Sequence, residues 1–293
     1  MKTTPLKPNE FTFGSLINAC NRARNAEKAM EVLRSMEKNY NVAPNAIVYS
    51  SAISACARSE PPKPELALQL LQEVNATGTP ANTVAYTAAI TGCEYAGEWK
   101  ESFFLLDRMR KEGVEPNEIT MAAVIAACAT ACCTDSASKV FRMMKEDDIE
   151  PNEIIYGAAI SCFRKAREPQ RCLFLLKKMM KEELSPNAAT LNTVMIALTD
   201  GTKKSDSERI MKLYKLMNSA HIDDHGQPNR YTYNILINYF ADNHQPAAAE
   251  AFLDKMRNDG FKPDVNLYTA TVTVSLVIVA YFRSIQQLFF PLV

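Results

Sequence analysis

A unit of two short amphipathic helices recurs about every 35 residues along this chain, and that period restricts the folds available to it. The stretch 83–117 shows the unit clearly. Small or apolar side chains spaced i, i+3, i+4 and i+7 predict one buried helix face. The stretch holds two such sets: Tyr86, Ala89, Ile90 and Cys93, then Ser102, Leu105, Leu106 and Met109. Gly97 and Gly113 are suited to end the two helices in a left-handed conformation, and Pro116 blocks continuation of the second.

The unit occurs seven times, and positions are numbered from the first residue of each unit. Repeats 1 to 7 span 10–45, 46–82, 83–117, 118–152, 153–187, 188–229 and 230–264. One helix pair cannot bury its apolar face alone, so stacked pairs share a continuous core. We therefore expect an all-α fold, a right-handed superhelical α-solenoid of helix–turn–helix repeats. Residues 1–9 are interpreted as the tail of a preceding repeat or a leader, and residues 265–293 as a degenerate partial repeat with an atypical apolar tail.

The residues at fixed repeat positions distinguish between the repeat families that share this period. The Trp and Gly-Tyr of tetratricopeptide first helices are missing. The first helices instead carry FTFGSLI, IVYSSAI, VAYTAAI, IIYGAAI and YTYNILI, and the units end in VAPN, VEPN, IEPN, LSPN, QPN and FKPD. These motifs resemble the pentatricopeptide repeat (PPR) family over Asn9 to Asp264. The resemblance implies that the first helices bind single-stranded RNA, with one base addressed by each repeat.

The resemblance implies three contact positions in each repeat. Position 2 packs against the bases and is filled by Phe11, Ile47, Val84, Ile119, Ile154 and Tyr231, with Ala189 as the weak member. Position 5 and the last residue read the Watson–Crick edge together. Position 5 is Gly14, Ser50, Thr87, Ala122, Gly157, Asn192 and Asn234, and the last residue is Asn45, Asn82, Asn117, Asn152, Asn187, Asn229 and Asp264. The residues alone also allow a plainer interpretation, in which position 2 is core, position 5 faces solvent and Asn caps the next helix.

The resemblance, supported by hydrogen-bond chemistry at the last residue, implies a base for four repeats. Asp only accepts, so it suits the ring N–H of uracil or guanine, whereas Asn can donate to adenine or cytosine. By the family pattern, a small hydroxyl at position 5 favours purines and Asn favours pyrimidines. Repeats 2 and 3 are therefore expected to select A, repeat 6 C or less well U, and repeat 7 U. Gly14, Ala122 and Gly157 have no hydrogen-bonding side chain, so those repeats should select weakly and the target reads ?-A-A-?-?-(C/U)-U, 5′ to 3′.

Charge constrains how RNA would be held. The chain has 33 basic and 33 acidic residues, a net charge of zero. Phosphate contacts supply much of nucleic-acid affinity, so RNA binding here must rest on local geometry and should be modest and salt-sensitive. Position 13 offers basic side chains in three repeats: Arg22, Arg58 and Lys165. The neutral charge and the three blank positions also fit an alternative function, a helical-repeat scaffold for protein–protein interaction.

The 8 cysteines do not form a disulfide pattern. Four of them share position 11 on the buried face of the first helix: Cys20, Cys56, Cys93 and Cys128. They are interpreted as small core residues in a reducing compartment. Cys132 and Cys133 lie near Cys128 in sequence but lack a fourth ligand for zinc. His221 and His225 are spaced for a shared metal, but Gly226 and Pro228 favour a solvated loop, so we expect no metal or other cofactor.

No catalytic motif appears, and the chain is not expected to be an enzyme. The two-metal carboxylate cluster, the deaminase signature and the nucleophile motifs are all missing. The family implies a place in RNA processing, stability or translation in the mitochondrion or plastid, with protein partners that carry out processing and with no DNA or membrane involved. No transit peptide is visible, which suits a fragment. The 271–293 tail is interpreted as non-native sequence, with a capping segment or a membrane anchor as alternatives.

Overall fold

Helices make up all the regular secondary structure in the computed structural model, which describes residues 8–76, 80–200, 207–219 and 224–270. No strand occurs within these ranges. The described residues contain fourteen α-helices and one short 3-10 turn at Asp224–Gly226. The all-α helical-repeat architecture predicted from the sequence is confirmed.

Each repeat contributes a first and a second helix. The first helices are α1 Glu10–Arg22, α3 Ala46–Ala57, α5 Thr83–Ala96, α7 Glu118–Thr130, α9 Glu153–Lys165, α11 Ala188–Thr199 and α13 Arg230–Asp242. The second helices are α2 Ala26–Tyr40, α4 Pro64–Ala76, α6 Trp99–Lys111, α8 Thr134–Glu146, α10 Pro169–Lys181, α12 Ser207–Met217 and α14 Pro246–Asn258. Residues 265–270 are also helical.

The chain divides into two compact units, Met1–Ala166 and Arg167–Val293. In the first unit, each first helix packs against the next one, from α1 through α3, α5 and α7 to α9. The second helices α2, α4, α6 and α8 pack against the first helices of their own and the following repeat. The first helices of this unit therefore lie side by side as one layer.

The second unit is built from the same kind of pair. Helix α11 packs against α10, α12 and α13, and α14 packs against α13. The 3-10 turn at Asp224–Gly226 also contacts α11. Most of the insertion at 200–208 and part of the loop at 221–228 lie outside the described residues, as does the 271–293 tail.

The core is formed by the predicted faces. Large side chains such as Tyr86, Ile90 and Leu106 have no exposed surface, and the small residues at position 20 are buried too. Leu16, expected on the buried face of α1, is instead 48% exposed. Helix α1 packs against a neighbouring first helix on one side only, since it contacts α3 and no helix precedes it among the described residues. Gly97 adopts a φ of +73°, which allows it to end α5 as the sequence predicted.

Two buried tyrosines at position 4 tie the first helix of a repeat to the end of the second. The Tyr86 hydroxyl donates to the Glu112 carboxylate at 2.5 Å. Tyr233 likewise donates to Asp259. Burial, reinforced by the hydrogen bonds to Asp259 and Tyr214, raises the pKa of Tyr233 above its ordinary value. These bonds satisfy the polar end of a side chain whose ring fills the core.

The cysteines behave as core residues. All eight are free, and six are buried. Burial raises the pKa of the Cys93 thiol to about 12 and that of the Cys56 thiol to about 11. Burial and the neighbouring thiols of Cys162 and Cys133 raise the pKa of Cys128 to about 12. Cys132 is exposed and Cys133 is half-buried.

Thiol labelling tests this arrangement. Because thiolate is the reactive form and buried thiols resist ionisation, we expect a thiol-specific disulfide reagent at pH 8 to modify Cys132 quickly and Cys133 more slowly. The six buried thiols should react only after unfolding. Cys132→Ser should remove the fast phase, and Cys93→Ser should leave it unchanged. Fast labelling of more than two thiols in the native protein would contradict the buried assignment.

Candidate nucleic-acid interface

The apolar side chains at position 2 are exposed rather than buried. Their exposed fractions run from 56% for Tyr231 to 83% for Phe11, and Ala189 is exposed as well. Position 2 is the second residue of each first helix, so these side chains recur at the same end of every first helix. The plainer interpretation of position 2 as core is therefore wrong. Exposed apolar side chains that recur at the same place in six repeats are typical of an interaction surface.

The last residue of every repeat caps the next first helix. In each case the side-chain oxygen accepts the backbone N–H of the third helical residue. The capping residues are Asn45, Asn82, Asn117, Asn152, Asn187, Asn229 and Asp264. An asparagine whose oxygen is used in this way has its Nδ2 group left to donate, whereas a capping aspartate retains a second acceptor oxygen. The cap therefore sets which hydrogen-bonding group the residue can offer to a ligand.

In repeat 2, position 5 and the last residue are in direct contact. The Ser50 hydroxyl lies 3.0 Å from Asn82 Oδ1 and 2.6 Å from the Ala46 carbonyl oxygen. Asn82 Oδ1 also accepts the Ala85 N–H at 2.9 Å. The hydroxyl proton is taken by an acceptor within the protein, so Ser50 can offer a ligand only lone pairs. Ser50 is 5% exposed, so it does not lie on the solvent-facing stripe expected for position 5.

In repeat 3, the same two positions are linked through a third residue. The Asn117 backbone N–H donates to the Thr120 hydroxyl oxygen at 3.4 Å, and that hydroxyl donates to Asn117 Oδ1 at 2.9 Å. The Thr87 hydroxyl lies 2.7 Å from the Thr120 hydroxyl. Since the single proton of Thr120 goes to Asn117, Thr87 donates to Thr120. Repeat 3 therefore presents the same free groups as repeat 2: lone pairs at position 5 and an amide N–H at the last residue.

Repeats 6 and 7 place asparagine at position 5. Asn192 is buried; its Nδ2 donates to Asn229 Oδ1 at 3.3 Å, and its oxygen accepts from Thr232 at 2.9 Å. Asn234 Oδ1 is buried and has no hydrogen-bond partner among the described residues. A buried acceptor without a donor costs free energy, which a ligand N–H would recover. The three remaining position-5 residues, Gly14, Ala122 and Gly157, are half-buried.

A cleft in repeat 1 brings three contact positions together. Its volume is about 310 Å³. Phe11 and Ile47, the position-2 residues of neighbouring repeats, both line it, with Gly14 and Asn45 between them. A flat group that enters this cleft meets apolar side chains from two repeats and the polar end of Asn45. The cleft is therefore lined by residues from all three predicted contact positions.

A second cleft joins the C-terminal ends of the first helices of repeats 1 to 3. Its volume is about 380 Å³, and it is lined by Arg22, Arg58 and Tyr95, all at position 13. Arg24 also lines it and forms an ion pair with Glu60. Positive charge therefore concentrates at this edge of the first unit although the chain is neutral overall.

Position 1 carries interactions that the sequence analysis missed. Asn45 Nδ2 donates to Glu10 Oε2 at 2.8 Å, and Arg230 Nη2 lies 3.6 Å from Asp264 Oδ2. In both repeats the first residue lies beside the last one. This contact could have been predicted from the repeat pattern, because the first and last residues of a repeat lie at the N-terminal ends of adjacent first helices.

The described residues contain neither a metal-binding cluster nor a membrane-spanning helix. No group of three or more His, Cys, Asp or Glu side chains there is arranged to hold a metal ion. His221 and Asp223, which belong to the possible metal motif, lie outside those residues. Within the same ranges, no helix combines the length and apolarity needed to cross a bilayer.

The fold is that of a helical-repeat protein whose first helices carry exposed apolar side chains at a fixed position. Family models match most of the chain: the pentacotripeptide-repeat region of PRORP at residues 49–196, the PPR repeat family at 228–275 and the pentatricopeptide repeat domain at 1–59. The chain belongs to the pentatricopeptide repeat family. No curated protein matches it.

Solved structures share the fold. The pentatricopeptide repeat protein PPR10 in complex with an 18-nucleotide psaJ RNA element is 24% identical, with a TM-score of 0.61 over 91% of this chain. This chain spans 36% of the length of that protein. The PPR domain of Arabidopsis thaliana protein-only RNase P 1 (PRORP1), in complex with tRNA, is 14% identical with a TM-score of 0.52. That match covers 70% of this chain and 98% of the domain.

Substitutions at Asn82 distinguish the capping role of its side-chain oxygen from the role of its Nδ2 group. Asn82→Ala removes the acceptor for the Ala85 N–H and should lower the free energy of unfolding by about 1 kcal/mol. Asn82→Asp keeps the acceptor and should leave stability within about 0.5 kcal/mol of the wild type. Urea unfolding followed by circular dichroism measures both changes.

Asn39→Ala is the matched control for this loss. Asn39 is an exposed asparagine inside α2 rather than at a cap, so its replacement should be neutral or slightly stabilising. Equal midpoints for Asn82→Ala and the wild type would contradict the capping role.

Proposed function

We propose that this protein binds single-stranded RNA along its first helices, with one base addressed by each repeat, and that it does so without catalysis. The observation that carries the proposal is the recurrent exposure of apolar side chains at position 2, beside a capping residue with a free hydrogen-bonding group. Burying one such side chain against a ligand contributes about 1.5–3 kcal/mol. Every base has an apolar face for that contact and a polar edge for the capping residue.

The free groups of repeats 2 and 3 complement adenine. Each repeat offers an acceptor at Ser50 or Thr87 and a donor at Asn82 or Asn117. Adenine presents an amine donor next to an acceptor ring nitrogen, and cytosine presents the same pair. The small hydroxyl residue at position 5 leaves room for the larger base. Adenine at the second and third bases is therefore the preferred assignment.

Repeats 6 and 7 favour smaller bases because their position-5 residue, asparagine, is larger than serine or threonine. Asn229 Nδ2 can donate to the bare ring nitrogen of cytosine, while Asn192 occupies more of the space than a serine does. Asp264 keeps acceptor capacity beyond its cap to Leu267, which suits the ring N–H of uracil. The resulting target is ?-A-A-?-?-(C/U)-U, in which the blank bases face Gly14, Ala122 and Gly157.

The comparisons support this function at the level of the fold. PPR10 and PRORP1, which share the fold, were solved in complex with RNA. We extend the proposal to RNA processing, stability or translation in the mitochondrion or plastid, where the array would act by occupying RNA and engaging protein partners. With zero net charge, affinity should be modest and should fall as salt rises.

The function is tested by the binding of the full chain to two short RNAs at two salt concentrations. One RNA carries A-A-N-N-C-U, and the other has both A replaced by U and the final U by A. We expect about tenfold or more preference for the first RNA, since each well-formed base contact discriminates by about 1–3 kcal/mol. Equal binding of the two RNAs with steep salt dependence would contradict base readout and leave only RNA binding through charge.

Absence of binding to either RNA by folded protein would contradict the proposal as a whole. That result would favour the protein–protein scaffold, to which the neutral charge and the three blank position-5 residues already lend support. Recovery of a protein partner by the same exposed position-2 face would then be the next measurement.

A further inference from the structure

Glu10 changes what repeat 1 can recognise. Its carboxylate accepts a hydrogen bond from Asn45 Nδ2 at 2.8 Å, while Asn45 Oδ1 accepts the Val48 N–H at 3.0 Å. Both ends of the Asn45 amide are thus held, and one of its two N–H groups remains free. The carboxylate has acceptor capacity to spare, because it offers about four lone-pair sites and Asn45 uses one.

Position 5 of the same repeat leaves space for a base to reach the Glu10 carboxylate. Gly14 has no side chain, and a Cβ placed there would meet nothing closer than Val48 Cγ2 at 4.0 Å. Glu10 lines the same cleft as Phe11, Gly14, Asn45 and Ile47, and it is the charged residue among those that line it. A base that packs between Phe11 and Ile47 therefore meets a carboxylate in the same cleft, next to a position 5 that has no side chain.

We propose that Glu10 replaces the missing position-5 group of repeat 1 and, with Asn45, selects guanine as the first base. This inference rests on the proposed function and adds a specificity residue to a repeat that otherwise selects weakly. The first residue of a repeat is placed for such a role, because Arg230 lies beside Asp264 in repeat 7 as Glu10 lies beside Asn45 in repeat 1.

The choice of guanine follows from the donors along each Watson–Crick edge. A carboxylate only accepts, and it binds best where two donors stand side by side. Guanine has two adjacent donors, N1–H and N2–H, and its O6 can accept the free N–H of Asn45. Uracil has a single N–H between two carbonyl oxygens, which would face the carboxylate charge. Adenine and cytosine each place an acceptor nitrogen next to their one amine.

The test measures binding of the full chain to four RNAs of sequence N-A-A-N-N-C-U that differ only at the first base. We expect guanine to bind about five- to tenfold more tightly than the other three. Glu10→Gln retains the size of the side chain but removes the charge and one acceptor oxygen. Its guanine preference should fall to about twofold or less, while its affinity for the RNAs with the other three first bases should not fall, because a negative charge that repels the polyanionic RNA is lost.

Glu118→Gln is the matched control. Glu118 is the exposed first residue of repeat 4, which also lacks a position-5 group, and it makes no hydrogen bond to Asn152 in the described part of the chain. This variant removes the same charge and should leave the first-base preference unchanged. Glu10 is exposed as well, so we expect both variants to fold. Circular dichroism checks this.

The outcomes separate this inference from the proposed function. Equal affinity for all four first bases, a preference for another base, guanine preference retained in Glu10→Gln, or preference lost equally in Glu118→Gln would each overturn the role of Glu10. If discrimination for A at the second and third bases persists in those cases, base readout by the array stands. Loss of all RNA binding would overturn both.

Discussion

The hydrogen bond between the last residue of each repeat and the start of the next first helix governs this structure. It begins seven helices at the same repeat position, and in the six asparagine cases it leaves Nδ2 as the available donor. In the proposed function, one side chain therefore serves both folding and recognition. A change that preserves the oxygen and replaces the nitrogen alters what the surface can bind while the helix still begins at its proper residue.

The first helices divide their surface between two tasks. Positions 4, 7, 8 and 11 are buried in nearly every repeat, and position 2 is exposed in all of them. The two sets lie on different sides of the same helix because position 2 does not share the 3.6-residue period of the buried face. Burial of the first set holds neighbouring repeats together, so the exposed set is carried on a rigid layer within the first unit rather than on loops.

Periodicity predicted most of the fold because the core repeats. The spacing of apolar residues predicted the helix pairs, and glycine chemistry predicted the left-handed end of α5 at Gly97. Leu16 was misplaced because its burial depends on a neighbouring helix rather than on its own position. The burial of Ser50 and Asn192 was likewise missed, since a polar residue next to the core face can point toward the last residue of its own repeat.

The sequence was less informative about the hydrogen bonds that join position 5, the last residue and their neighbours. The resemblance named positions 2 and 5 and the last residue, but not the hydrogen bonds that determine which of their groups stay free. Thr120 connects Thr87 to Asn117, and Glu10 holds Asn45, through contacts that depend on side-chain direction. Residues distant in sequence meet there, and a periodic pattern alone cannot say which rotamer brings them together.

The central claim is that the capping residue reads a base with the group its cap leaves free. The most direct measurement compares the wild-type chain with Asn82→Asp on RNAs that carry A or G at the second base. We expect a change of preference from adenine to guanine of about tenfold, with adenine at the third base still preferred through Asn117. Retention of adenine preference at the second base, in a variant that folds as stably as the wild type, would contradict it.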